Sequence, residues 1–146
     1  MMLFATALFL AAQAILPSVQ ATPRNIRKNS WIELDCYVAG VKIGDTYTKE
    51  GEAKKDKWGN PILHYDWQLT YQVCKIYTDS AYYDPAKGRC ISKSPDGLGG
   101  ADWWDNCERQ SINGWYDVDP STNDIVINHA PYHADYAQGH GQRWSG

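Results

Sequence analysis

Between residues 63 and 73 polarity alternates at every step. Leu63, Tyr65, Trp67, Leu69, Tyr71 and Val73 are apolar or aromatic, and His64, Asp66, Gln68, Thr70 and Gln72 between them are polar. In a β-strand successive side chains point to opposite sides of the sheet, so strict period two marks a strand with one buried and one wet face. The pattern predicts a long strand over residues 63–77, the element from which the fold grows. Pro61 is tolerated just before it, where a missing N–H costs no ladder bond. The apolar parity changes at Cys74 and Ile76, which predicts a bulge near Cys74.

The chain opens with a predominantly apolar run to Leu16, and Val19 and Ala21 suit the small-residue positions before a signal-peptidase cut. This predicts a signal peptide over residues 1–21 and a secreted, extracellular mature protein. The run is too short for a bilayer, which needs about 20 apolar residues, and no later stretch is more apolar, so no membrane association is expected. Removal of the leader leaves 125 residues, enough for one domain. Both Phe and both Met go with it, so the core must be built from Trp, Tyr, Ile, Leu and Val. Trp and Tyr bury much area but carry N–H and O–H groups that need partners. The net charge of −3 argues against general nucleic-acid binding.

Four cysteines, Cys36, Cys74, Cys90 and Cys107, all lie in the mature part and are widely spaced. An even count behind a leader reads as two disulfides, and the absence of any Cys-x-x-Cys pair argues against zinc. Three pairings are open, and Cys74–Cys90 with Cys36–Cys107 is preferred. Closing the shorter loop would contribute roughly 3 kcal/mol.

Residues 22–30, with Arg24, Arg27 and Lys28, read as a loose basic arm. A single β-rich domain is expected over residues 31–129. Ile32, Leu34, Cys36 and Val38 alternate with charged and polar neighbours as a first strand, Ala39-Gly40 offers a turn, and residues 41–48 read as a second strand broken at Gly44-Asp45. Residues 49–60 are charged and bracketed by glycines, an exposed loop. Residues 89–92 form a short strand carrying Cys90, and residues 94–100 a flexible loop. Asp102 suits an N-cap for one short helix that presents Trp103 or Trp104 and Cys107 to the sheet and ends at Asn113-Gly114. Residues 115–118 and 125–128 frame a hairpin. Residues 130–146 lack periodicity and are expected to be an irregular tail. The fold class is therefore mainly β, a β-rich α+β antiparallel sheet or sandwich, and a monomer is expected.

Three kinds of chemistry are open to such a chain. His129 and His133 have the i, i+4 spacing of a zinc site, but Ala130 stands where a catalytic Glu is needed and Pro131 interrupts a helix; no metal and no cofactor are expected. Metal-free RNA cleavage needs a base for the 2′-OH, an acid for the leaving oxygen and a cation for the phosphate. His64, Glu108, Arg109 and His129 are the available groups, with Asp66 on the face of His64, and the acidic, Tyr-rich, two-disulfide make-up resembles the small secreted fungal ribonucleases in composition. Carbohydrate binding needs exposed aromatic rings beside polar groups, for which Trp103, Trp104, Trp115 and Tyr116 are the candidates, with Trp58.

In its leader, size, spaced cysteines and aromatic richness, and in having no catalytic motif, the chain resembles the small secreted effector-like proteins of filamentous fungi. The resemblance implies a compact sheet domain without enzymatic activity whose surface engages a host protein or a cell-wall glycan. A ribonuclease-like hydrolase and a carbohydrate-binding module are the alternatives.

Overall fold

A computed structural model describes residues 29–143. The expected signal peptide, residues 22–28 of the arm and the last three residues lie outside the described residues. Among the described residues ten strands and two α-helices follow one another. The fold is mainly β and antiparallel, as expected, although the described residues form two helices rather than one.

The sheet is organised by β2, Glu33–Ile43. Along its whole length it pairs antiparallel with β10, Tyr132–Gln142. Its other edge is shared by three shorter partners. These are β6 (Arg89–Ser92) against Glu33 and Leu34, β4 (His64–Tyr65) against Tyr37 and Val38, and β3 (Thr46–Tyr47) folding back after the turn at Gly44-Asp45. Beyond β6 lies β5, Ala81–Asp84. Outside this sheet, β1 (Ser30–Trp31) pairs with β7 (Leu98–Gly99), which ties down the end of the expected loose arm. The hairpin expected around residues 119–124 is present as β8, Asp117–Val118, and β9, Ile125–Val126.

The expected strand over residues 63–77 does not form. Only His64 and Tyr65 are strand; helix α1 spans Trp67–Cys74, followed by a 3-10 turn at Lys75–Tyr77. Asp66 is the N-cap, and its carboxylate accepts the Leu69 N–H at 2.8 Å. The buried residues are Leu69, Thr70, Gln72, Val73 and Cys74. Leu69 with Val73, and Thr70 with Cys74, are four apart and share one helical face. The parity change at Cys74 was thus the helical period showing through, and no bulge is involved. Thr70 is committed on both sides: its hydroxyl donates to the Asp66 carbonyl and accepts from the Cys36 N–H at 2.9 Å.

The tail expected to be irregular is the second of the two longest strands. Its inward positions are small. A side chain at Gly139 would come within 2.5 Å of the Trp103 ring, and one at Gly141 within 2.4 Å of Trp31. Burial here is supplied by the bulk of the partners, so β10 carries no apolar pattern of its own. The turn expected at Ala39-Gly40 is also absent. The chain passes straight through Gly40 at φ 69°, opposite Asp135, a left-handed conformation that glycine tolerates. Val38 and Ala137 face the core before this point, and Val41 and Ala134 pack against it afterwards, so both strands change facing parity there.

Helix α2, Gly100–Asn113, lies across the inner face of β10 and β2. It starts two residues before Asp102 and ends at Gly114, as expected. The disulfide Cys36–Cys107 joins it to β2, and Cys74–Cys90 joins α1 to β6, which is the preferred pairing. The core between the layers holds Trp31, Leu34, Val38, Leu69, Val73, Trp103 and Trp115 around these two bridges. The Trp103 indole donates to the Asp35 carbonyl at 2.8 Å, which lets a large ring sit inside without an orphan donor.

Candidate functional site

Leu34, Cys36 and Val38 face the core, so Glu33, Asp35 and Tyr37 between them lie on the other face of β2. Glu33 and Asp35 are buried even so, with side chains 4% and 6% exposed. The cations above them come from β6 and the turn before it. Arg89 reaches Glu33 through Nη1 and Asp35 through Nε, both at 3.2 Å, and Lys87 Nζ lies 2.5 Å from Glu33. Two carboxylates against two cations leave the cluster neutral. Burial pushes the Asp35 carboxyl up to about 6, against the opposing pull of Arg89 and the Tyr37 hydroxyl.

His140 is directly opposite Asp35 on β10, and its ring packs on Tyr37 with centroids 4.5 Å apart. Its Nε2 lies 3.2 Å from Gln138 Oε1, and burial holds the imidazole below its ordinary value. Tyr65, opposite Tyr37 on β4, meets it edge-on at 5.9 Å and donates to the Gly88 carbonyl. One face of the sheet therefore gathers two acids, two cations, an imidazole and two phenols.

Tyr65 and Lys87 also form one wall of an open cleft of 420 Å³. Trp67, the first residue of α1, and Tyr83 on β5 supply the other aromatic surfaces, and Pro120 and Asn123 of the β8–β9 turn close one end. The cleft is braced from below. Tyr71 packs edge-on against Tyr83 at 5.3 Å, and its hydroxyl donates to the Asn123 carbonyl at 2.9 Å. Three aromatic faces with a lysine and amide groups at the rim can stack a flat or chair-shaped ring and hydrogen-bond its hydroxyls.

The residues singled out from sequence are dispersed. His64 lies on β4 beside a hollow of 380 Å³ under the charged loop that holds Glu50 and Lys54. Glu108 is buried in α2 and accepts from the Trp104 indole at 2.6 Å. Arg109 donates to Asn106. His129 pairs with Asp117 at 2.9 Å, and with the Ala130 carbonyl, which leads in raising the imidazole above its ordinary value. Among the described residues no hydrogen bond or ion pair joins any two of these four. Asp66, expected beside His64 on a strand face, caps α1.

Trp103, Trp104 and Trp115 are 0%, 6% and 1% exposed and serve the core, so they offer no stacking platform; Tyr116 is half-buried. Trp58 is 74% exposed, with Lys57 over its ring. His133 bonds the Ile112 carbonyl, away from the partners of His129. The aromatic cleft was missed because Tyr65 and Trp67 read as the buried side of a strand. The carboxylates of β2 were missed because alternation marked them as the solvent side.

Compared with protein-family models, with curated proteins and with solved structures, the chain matches none of them.

Proposed function

We propose that this is a secreted interaction protein without catalytic activity, which binds a cell-wall glycan by stacking sugar rings in the cleft of Tyr65, Trp67 and Tyr83. The observation that carries the reading is that cleft: 420 Å³, open to solvent, walled by three aromatic side chains and rimmed by Lys87 and Asn123. The CH faces of a sugar stack on aromatic rings, and its hydroxyls need the polar rim. Two disulfides suit an oxidising compartment outside the cytosol. The test is calorimetric titration with chitin, cellulose and β-glucan oligosaccharides. At least one should bind, and Trp67→Ala with Tyr83→Ala should weaken it at least tenfold. A folded wild type that binds none of them refutes the proposal.

One observation favours a second reading, metal-free cleavage of RNA. Glu33, Arg89, Lys87 and His140 share a sheet face beside an aromatic cleft able to hold a base. Glu33 would take the 2′-OH proton, His140 would protonate the leaving oxygen, and Arg89 would hold the phosphate. This reading ranks second because Lys87 and Arg89 already occupy both Glu33 oxygens and a base must reach its proton. Degradation of RNA in chelator, abolished by Glu33→Gln, would reverse the order.

A further inference from the structure

A third cavity, of 260 Å³, lies between the C-terminal half of α2 and the first half of β10. The helix contributes Glu108, Ser111 and Ile112, and the strand contributes residues 133–137. Ala134 and Ala137 keep the strand side shallow. Nothing proposed above uses this space.

Its hydrogen-bonding groups are mostly acceptors. Glu108 is 4% exposed; Oε1 accepts from the Trp104 indole, and Oε2 is buried with no hydrogen-bond partner. The Ser111 hydroxyl donates to the Glu108 carbonyl at 2.7 Å, so its proton is committed and its lone pairs remain. His133 Nδ1 lies 2.9 Å from the Ile112 carbonyl. A carbonyl only accepts, so Nδ1 carries the proton and a neutral ring leaves Nε2 as an acceptor. Asp135 is already answered by Lys42 at 3.5 Å and by the Tyr47 hydroxyl at 2.6 Å. Tyr136 also lines the cavity, with Lys55 Nζ 6.0 Å from the centroid of its ring.

We propose that this cavity is a binding site for a primary ammonium group. A buried carboxylate oxygen without a donor is the feature a native fold rarely keeps unless something supplies the proton. An ammonium carries three donors on a compact cation and accepts nothing, which matches His133, Ser111 and Glu108 once the Glu108 side chain turns its buried Oε2 toward the cavity. Ile112, Ala134 and Ala137 provide apolar surface for its methylene stem. A metal ion is the poorer fit, because no three carboxylate, imidazole or thiolate groups converge among the described residues. Burial also holds the Glu108 carboxyl above its ordinary range, and a cation beside it would reverse that.

The test uses the full mature chain, disulfides intact, and two-dimensional amide NMR with n-butylammonium as the probe. Saturable shifts are expected at residues 108–112 and 133–137. n-Butanol and tetramethylammonium, which lack the charge or the donors, should bind at least tenfold more weakly. Glu108→Gln keeps an acceptor for Trp104 and should weaken n-butylammonium at least tenfold. Equal binding of n-butanol, shifts elsewhere, or an unchanged affinity in Glu108→Gln would overturn the proposal. If that variant does not fold, Ile112→Trp, at a position 42% exposed, narrows the mouth and should abolish the shifts; retention of binding would overturn it. N-acetyl-lysine amide and glucosamine, run side by side, separate a lysine side chain from an amino sugar as the natural source, and binding of either sustains the site.

Discussion

One guanidinium, Arg89, answers two buried carboxylates that sit two residues apart on β2. Removing a charge from water is costly unless a partner replaces the lost hydration, and Asp35 receives the smaller share: Lys87 adds itself to Glu33 alone. Its carboxyl is displaced from 3.8 to about 6, chiefly by burial. The folded chain therefore holds this proton more tightly than the unfolded chain. By linkage the stability from this group is fully present below about pH 4 and is lost as pH rises through 6. A displacement of this size corresponds to about 3 kcal/mol. Urea unfolding of wild type and Asp35→Asn at pH 4 and pH 7 checks it. The wild type should lose more stability across that interval than the variant, and equal slopes would show that Asp35 titrates normally.

Among the elements, β10 and α1 show how packing can hide a structure from its own residues. β10 reads as polar and glycine-rich, yet it covers the full edge of β2 because Trp103, Trp104 and Trp31 fill the space its side chains leave. A Cβ at Gly139 would lie 2.5 Å from Trp103 Cδ1 and 2.8 Å from the Trp104 Cα. The second is backbone and cannot turn aside. Gly139→Val should therefore destabilise the protein by at least about 2 kcal/mol, within the range for overpacked cores, as read from denaturant midpoints. A shift under about 0.5 kcal/mol would mean that α2 does not press on this strand. α1 presents the opposite problem. Its polar and apolar residues alternate strictly through Val73, but Cys74 must reach Cys90 while Leu69 and Val73 enter the core, and only the helical period puts all three on one side.

At the scale of the molecule, the two disulfides hold the layers together. Cys36–Cys107 spans 71 residues and pins α2 to the central strand; Cys74–Cys90 spans 16 and pins α1 to β6. The chain-entropy treatment assigns about 4 kcal/mol to the longer loop and about 3 to the shorter, against a usual total of about 5–15. Cys36→Ser with Cys107→Ser should cost more than Cys74→Ser with Cys90→Ser, and the chain lacking both bridges should be unfolded at 37 °C by circular dichroism. The reverse order would show that local packing outweighs loop closure.

Much of this fold was legible beforehand. That there are two bridges, the strand at residues 89–92, the end of α2 at Gly114 and the hairpin before His129 all follow from cysteine count, turn chemistry and capping, which act within a few residues or through covalent bonds. The exchange of strand for helix at residues 67–74, the pairing of residues 132–142 and the meeting of Glu33, Arg89, Lys87 and His140 do not. Each depends on a partner remote in sequence: Cys90 for α1, the tryptophans of α2 for β10, and the register of three strands for the sheet face. Sequence alone determined that this chain is a cross-linked, aromatic-rich, mainly β domain. Tertiary contact alone decided which tryptophans are buried, which acids share a cation and where a cleft opens, because burial and proximity belong to pairs of segments and are not a property of either one.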